Sequence, residues 1–369
     1  MSQPARMAQP SQMHLLLSGP HPRVGGGVVA HCGALGDALV RLGLHVQQVH
    51  VGAGLDEDQT LGAKLRGVQS LLRGLPNFAR RARGQLVHLN PSFTPKAVLR
   101  DAALLIAAKV TGAPTVAEFH GGMPDDVPGI LGRAALRVLM NADALVVINR
   151  LQERALAARY PAARGRLHRI PNGVCLPDVD VDQLIDGRLA NPTLLYMGRL
   201  LEEKGVLDVI RAAAHLPGVQ VDVAGDGPAL SPAQALASEL GIAGRVTFHG
   251  HVGGEAKEAL LRAASLFVFP SYYAEGQPIV LLEALAWGIP VITCDLQPLT
   301  DLITPECGGL VPPRSPAAVA DVARHLLSRP EVYAAAAGHN RALAEHEYDL
   351  ELVARRFVQL YRQVQWRRT

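Results

Sequence analysis

The chain has 369 residues, 49% hydrophobic and 19% charged, with four cysteines and a formal net charge of +3. That length exceeds one compact core and fits two domains of ordinary size, and the apolar share excludes a disordered chain. The longest apolar stretch of the first half, AALLIAAKV at 102–110, falls far short of a membrane span, and the opening MSQPARMAQPSQM lacks the apolar segment of a signal peptide, so residues 1–13 read as a loose tail. Cys32, Cys175, Cys294 and Cys307 show no C-x-x-C pair. Their scatter argues against a zinc or disulfide framework, fits a reducing cytoplasm, and makes isolated buried thiols the expectation.

Residues 1–175 carry 20 lysines and arginines against 10 acids, whereas 176–369 carry 16 against 23. A basic half joined to an acidic half suggests two domains with different partners. Between Gln59 and Arg100 stand Lys64, Arg66, Arg73, Arg80, Arg81, Arg83, Lys96 and Arg100 without one acid. With only 4% aromatic residues and no nucleic-acid motif, this surface is expected to meet an anionic membrane or a phosphorylated lipid through residues 64–100, and no nucleic acid.

In chain order, the strand-like HLLLSG (14–19) precedes a run in which Val28, Cys32, Leu35, Leu39 and Leu42 recur at helical spacing. HVQQVHVG, a basic helical stretch, QLVHLN, a helix from about Lys96, PTVAEFHG, another helix, DALVVINR and RLHRIPNG follow. After the acidic PDVDVDQLIDG, read as a solvated linker rather than a D-x-D metal site, the alternation restarts with TLLYMGRL, VQVDVAGDG, RVTFHGHV, SLFVFPS and PVITCD, each followed by a helix up to the last. Such alternation predicts parallel sheets covered on both faces, here an α/β chain with two doubly wound domains at 14–175 and 176–345. From about Ser315 the chain reads as helical. Its last segment, 346–369, places Phe357, Leu360, Tyr361 and Val364 on one face, as a helix docking back on the amino-terminal domain would.

Ligands of doubly wound sheets sit at the carboxyl ends of strands, so the strand-to-helix turns carry the chemistry. In YMGRLLEEKG (196–205), Gly198 permits a tight turn, and Arg199 and Lys204 stand beside the amides of a following helix, which makes an anion site. In EGQPIVLLE (275–283), Gln277-Pro278 puts a proline in the first helical turn, with Glu275 before it and Glu283 about one and a half turns inside. If wholly helical, eight residues span roughly 12 Å, about a diphosphate with a sugar at each end. Each carboxylate can accept hydrogen bonds from the hydroxyls of one sugar. A surface glutamate plus a helix glutamate would be the plain alternative, but Glu283 lies in the otherwise apolar PIVLLEALAWG, where an unpartnered carboxylate is costly.

GRLLEEKG, the GDGP at 225–228 and EGQPIVLLEALAWGIPVI together resemble the donor half of the retaining GT-B glycosyltransferases of the bacterial family 4 group. PRVGGGVVAHCGALGDALVRLG, EFHGG and RIPNGV are similar to that family's amino-terminal pattern, in the same order. The resemblance implies a GT-B fold, two Rossmann-like domains facing across a cleft, and transfer of a hexose-type sugar from a nucleotide diphosphate, UDP or GDP by default. It implies that Glu275 holds hydroxyls of the transferred sugar, Glu283 the ribose, and Arg199 and Lys204 the diphosphate. Amides near Gly276 and Gln277 would bind phosphate and sugar, with Gly198 in the turn and His251 and Val252 along the base. Gly26 and Gly27 would let the backbone approach the diphosphate, and His120 would reach the transferred sugar. No metal and no cofactor are implied, because the leaving phosphate takes the acceptor's proton. The acceptor would be a glycan or a lipid-linked hydroxyl of envelope or exopolysaccharide synthesis, at the inner face of the membrane of a cytoplasmic enzyme.

Two positions depart from the family pattern: Asn149 stands where a serine is common, and Asp301 near the usual place of a glutamate. Other classes remain open. A Rossmann dehydrogenase would need a third glycine that VAGDGPAL lacks. A sugar-nucleotide epimerase would convert its donor with no acceptor. A non-catalytic donor-binding subunit would be expected to lack Glu275, Arg199 or Lys204, all of which are present.

Overall fold

The computed structural model describes residues 13–21, 26–51 and 61–366, with 61–68 described by backbone alone. The tail at 1–12 lies outside the described residues. Two compact units divide the chain. One takes the described residues up to Ile170 together with those from Val353 onward; the other is Pro171–Leu352. The boundary thus falls before residue 175, and the last helix, Leu350–Trp366, begins in the second unit and continues in the first.

In the first unit, β1 (His14–Gly19), β2 (His45–His50), β3 (Leu86–Leu89), β4 (Thr115–Phe119), β5 (Ala144–Val147) and β6 (Leu167–Arg169) form one parallel sheet ordered β2-β1-β3-β4-β5-β6. Strands β3, β4 and β5 are buried at every position, as expected of a sheet covered on both faces, while the edge strand β2 is largely exposed. On the helix Gly27–Arg41 the predicted stripe buries Cys32, Leu35 and Leu39. Phe357, Leu360, Tyr361 and Val364 of the last helix are all buried, and the Tyr361 hydroxyl lies 2.7 Å from His88 Nδ1 of β3. The predicted apolar face therefore belongs to this unit's core.

The second unit contains β7 (Thr193–Met197), β8 (Gln220–Ala224), β9 (Val246–Gly250), β10 (Leu266–Phe269), β11 (Val291–Cys294) and β12 (Gly308–Val311), ordered β12-β11-β10-β7-β8-β9. Counted from β7, this is the Rossmann order: successive strands are added outward to β9 on one side and then, from β10, on the other side of β7, which puts the switch point between β7 and β10. Strand β12 was not among the predicted strands: its sequence, GGLV, is short and half glycine.

The segment expected as a solvated acidic linker is in part a helix, Asp182–Ala190. Asp180 accepts from the Asp182 amide at 3.1 Å and from Gln183 Nε2 at 2.9 Å, so the D-x-D carboxylate opens that helix. Within it, Arg188 is 2% exposed and donates to the carbonyls of Leu261, Arg262, Trp287 and Gly288. A buried guanidinium needs several acceptors, and these helix-end carbonyls supply them. The thiols of Cys32, Cys294 and Cys307 are buried as expected, but Cys175 is exposed.

Candidate functional site

The loops that leave the carboxyl ends of β7, β8 and β10 gather most of the predicted donor residues of the second unit. Gly198 N donates to Ala224 O and Leu200 N to Asp226 O, both at 2.9 Å, which laces the GRL turn onto GDGP. The glycines make this approach possible. Gly225 adopts φ 145°, and a Cβ there would lie 1.8 Å from Gly198 O; one on Gly227 would lie 2.5 Å from Leu200 O. GDGP therefore holds the turn that bears Arg199. Arg199 is exposed, the Tyr196 hydroxyl donates to its carbonyl at 3.1 Å, and its guanidinium forms no ion pair among the described residues. Lys204 ends the short turn Glu202–Lys204, directly before Gly205 and the helix Val206–Ala214.

Glu275 and Lys204, assigned separate roles from sequence, form one ion pair. Lys204 Nζ donates to Glu275 Oε1 at 2.9 Å and Oε2 at 3.2 Å, and the Ser271 hydroxyl donates to Oε1 at 2.8 Å. The two side chains are 16% and 8% exposed, and Lys204 Nζ lies 5.1 Å from the Tyr273 ring centroid. A carboxylate held this way keeps lone pairs for further donors, and the lysine keeps a fixed position from which to meet an anion.

The stretch EGQPIVLLE is not wholly helical. The helix is Ile279–Ala286, Pro278 is its cap at φ −64° and ψ 118°, and Glu275 to Gln277 form a loop. The 12 Å helical span therefore does not apply, and Pro278 precedes the first turn rather than lying in it. Glu283 is not unpartnered: Lys257, on the helix Gly254–Ala263, donates to its Oε1. Gln277 is turned to the PNG segment, where its Oε1 accepts from Asn172 N at 2.7 Å and its carbonyl from Asn172 Nδ2 at 3.2 Å. The side chain of Gln277 is thus structural in this state. His251 is exposed just after β9, and Val252 packs against the apolar core.

In the first unit, Gly26 caps the helix Gly27–Arg41 at φ 92°, and both glycines are exposed. His120 follows β4 and is 4% exposed. It stands in a buried cluster around the Glu118 carboxylate, which His31 Nε2 and His88 Nε2 approach at 3.1 Å and His120 Nε2 at 3.6 Å. Burial would raise the Glu118 carboxyl, but His31 and His120, with hydrogen bonds from His31 and His88, hold it well below the usual range. Burial lowers His120 to about 4 against the pull of Glu118, so its imidazole is neutral at pH 7. His31, Glu118 and His120 are spaced as ligands of a metal ion could be. However, His120 Nε2 donates to Asn90 Oδ1 at 2.8 Å and has no lone pair for a metal in this arrangement.

Sequence reading did not single out Lys257, Asn172 as a clamp on Gln277, or the cluster of Glu118, His31, His88 and Asn90. Asn90 alone carried a usable signal, a polar residue at a strand's carboxyl end before a proline. The two departures from the family pattern have local explanations or none. Asn149 Oδ1 accepts from Gln152 N at 2.8 Å and caps the helix Arg150–Arg159. Asp301 is exposed in the turn Leu299–Asp301, away from any contact that explains the departure.

Comparison with known proteins identifies the family. Residues 25–176 match the family described as Glycosyltransferase Family 4, and residues 187–342 match Glycosyl transferases group 1. The chain is 30% identical over 272 residues to the phosphatidyl-myo-inositol mannosyltransferase of Mycobacterium leprae, covering 70% of this chain and 69% of that one. It is 33% identical over 178 residues to the alpha-D-kanosaminyltransferase of Streptomyces kanamyceticus, a match that spans 47% of this chain and 46% of that protein. The Anabaena protein Alr3699/HepE, solved in complex with UDP and glucose, superposes with a TM-score of 0.70 over 94% of this chain and 99% of its own, and at 18% identity it shows the fold alone. With both halves matched in order, and Arg199, Lys204, Glu275 and Glu283 on the loops and helix beside the β7/β10 switch point, the chain belongs to the GT-B glycosyltransferases of the family 4 type.

Proposed function

We propose that this protein transfers a hexose-type sugar from a nucleotide diphosphate donor to a hydroxyl acceptor, with retention of the anomeric configuration and without a metal. The observation that carries the reading is the Lys204–Glu275 ion pair at the carboxyl ends of β7 and β10, with Arg199 exposed on the loop that also bears Lys204. In this mechanism the bond from the anomeric carbon to the diphosphate oxygen breaks and its electron pair leaves with the diphosphate. Arg199 and Lys204 stabilise that charge, the task a metal performs elsewhere. The acceptor oxygen joins the anomeric carbon on the same face, and its proton goes to the departing phosphate. Glu275 orients the sugar through its hydroxyls, and Glu283 exchanges Lys257 for the ribose. Amides at Gly276 and Gln277 meet phosphate and sugar, the loop of His251 and Val252 follows the base, Gly26 and Gly27 admit the diphosphate, and His120 meets the sugar. The nucleotide of the donor is UDP or GDP.

The test is nucleotide release from UDP-, GDP-, ADP- and dTDP-sugars with EDTA present, followed by NMR of the product's anomeric proton. One donor turned over with retention is expected. Silence across the panel, with no donor bound by calorimetry, would favour a non-catalytic subunit, and conversion of the donor without acceptor would favour an epimerase.

A lipid-linked or otherwise anionic acceptor in envelope or exopolysaccharide synthesis is part of this proposal, as is a cytoplasmic enzyme peripheral on the inner membrane face. Among the described residues no helix is long and apolar enough to cross a membrane. Leu72, Leu99, Ile106, Val110, Ile130 and Leu131 are exposed, interspersed with exposed Arg73, Arg80, Lys96, Arg133 and Arg137. Apolar side chains among cations suit an anionic bilayer surface. Not every predicted cation is available: Arg100 is tied to Asp101 through two 2.8 Å bonds, and the side chains of Lys64 and Arg66 lie outside the described residues. Co-sedimentation at low salt is expected with phosphatidylglycerol vesicles and not with phosphatidylcholine vesicles. Absence of binding to both would remove the membrane part of the reading.

A further inference from the structure

We infer that Arg314 is a positioning residue: its guanidinium clasps Tyr272 and so holds the loop that presents Glu275 to Lys204 and to the donor sugar. The inference deepens the proposed function and rests on the role given there to Glu275. Every residue it uses lies in the second unit.

Among the described residues, Arg314 alone, apart from glycines, has a positive φ, 55°. It stands in PPRSP, where the chain leaves β12 at Val311 and enters the helix Pro316–Leu327. Proline cannot adopt a left-handed φ, and Ser315 has φ −122°, so the reversal falls on Arg314. Glycine would take that conformation at no steric cost. An arginine there is strained, and strain that persists needs a contact to hold it.

The contact is with the loop after β10. The Arg314 guanidinium lies 4.6 Å from the Tyr272 ring centroid, a cation over an aromatic face. Tyr272 is partly buried and borders a cavity of about 270 Å³ together with Arg314, Glu202, Asp208 and Arg211. Arg211 is committed to Asp208 at 3.0 Å, so Arg314 is the cation for the ring. The cavity leaves the ring room to swing. Against that stand the guanidinium and one main-chain bond, Tyr272 N to Glu203 O at 2.9 Å.

The residues on either side of Tyr272 both touch the Lys204–Glu275 pair. The Ser271 hydroxyl donates to Glu275 Oε1 at 2.8 Å, and the Tyr273 ring centroid lies 5.1 Å from Lys204 Nζ. Glu275 N donates in turn to Tyr273 O at 2.8 Å. Two adjacent tyrosines thus each meet one cation, and the loop is held from both sides. Release of Tyr272 frees residues 271–275 to shift, and a displacement of about 1 Å at an orienting group can cost up to about a hundredfold in rate.

Three variants separate the guanidinium from the backbone. Arg314→Gly and Arg314→Asn accept a left-handed φ and carry no cation, whereas Arg314→Lys keeps one. Amide hydrogen exchange of the ligand-free protein, read by mass spectrometry, tests the clasp with no substrate. The segment 270–277 should exchange about two- to fivefold faster in the Gly and Asn variants, the factor one exposed cation over a ring controls, and near the wild-type rate in the Lys variant. Unchanged exchange in Arg314→Asn, or a change confined to Arg314→Gly, would overturn the clasp whether or not the protein is a transferase.

The second measurement is nucleotide release from the UDP- or GDP-hexose that the wild type turns over. In Arg314→Gly and Arg314→Asn kcat should fall about tenfold, with donor KM changed less than about threefold. Tyr272→Leu should lose as much, and the double variant with Arg314→Asn no more than either alone. Tm should stay within about 2 °C, because the relaxed backbone offsets the lost contact. A merely structural role would lower Tm and leave kcat unchanged. Faster exchange with wild-type kcat would overturn the positioning of Glu275 while the transferase reading stands. If the wild type turns over no donor, that reading fails, and the exchange result still decides the clasp.

Discussion

Replacing Glu275 with alanine is expected to lower kcat by about 10²–10³, the loss typical of a group that orients and stabilises charge only as reaction proceeds. The carboxylate does two things in the structure. It accepts from Lys204 and from Ser271, fixing the lysine, and it leaves capacity for sugar hydroxyls. Without it Lys204 retains its charge but loses the partner that aims it, so stabilisation of the departing diphosphate and orientation of the sugar fall together. Some stability should go with it, because Lys204 is only 16% exposed and loses its partner, so thermal unfolding is read beside kcat to separate the two losses. The check is steady-state nucleotide release alongside thermal unfolding. A variant that keeps more than about a tenth of wild-type kcat, with unchanged Tm, would contradict a role for Glu275 at the reacting sugar.

Gly225→Ala is expected to destabilise the second unit by about 3 kcal/mol or more and to weaken donor binding with it. The added Cβ would fall 1.8 Å from the Gly198 carbonyl oxygen, a backbone atom that cannot swing aside as a side-chain tip can, and the residue would also have to hold φ 145°. Relief requires the loop after β8 to part from the turn after β7. That turn carries Arg199, so the strain reaches the proposed anion site through two hydrogen bonds, Gly198 N to Ala224 O and Leu200 N to Asp226 O. Gly244→Ala is the control: a Cβ there meets nothing within 4 Å and the backbone is permissive. Urea unfolding and calorimetric titration of the donor check both variants. Equal stability of the two would mean that GDGP is not the support for the turn.

Much of the site was legible because its residues lie close together in sequence. Arg199 and Lys204 share one strand-to-helix turn, and Glu275 and Glu283 share another, so local periodicity and the position of Pro278 place them near strand ends. The hydrophobic pattern likewise made most strands of both parallel sheets legible, since a strand buried on both faces is largely apolar and a parallel neighbour requires a crossover, usually a helix. The misplacements have local causes. Acidic residues in PDVDVDQLIDG suggested solvated chain, whereas Asp180 accepts from the first residues of a helix that hides Arg188 among four carbonyls. Two glycines concealed β12.

What the amino-acid order determined by itself was the alternation of elements, the two-domain α/β class and the turns that bear charge, because these depend on neighbours a few residues apart. The tertiary structure decided which charges meet. Strand order set β10 beside β7 and so paired Glu275 with Lys204; packing of the helix Gly254–Ala263 gave Glu283 its Lys257; and the neighbouring ends of β1, β3 and β4 joined Ser18, Asn90 and His120. Such contacts bring together residues 26 to 72 positions apart in the chain, and no periodicity in the sequence encodes them, because sheet order is chosen by the burial of whole faces rather than by the polar groups it happens to align.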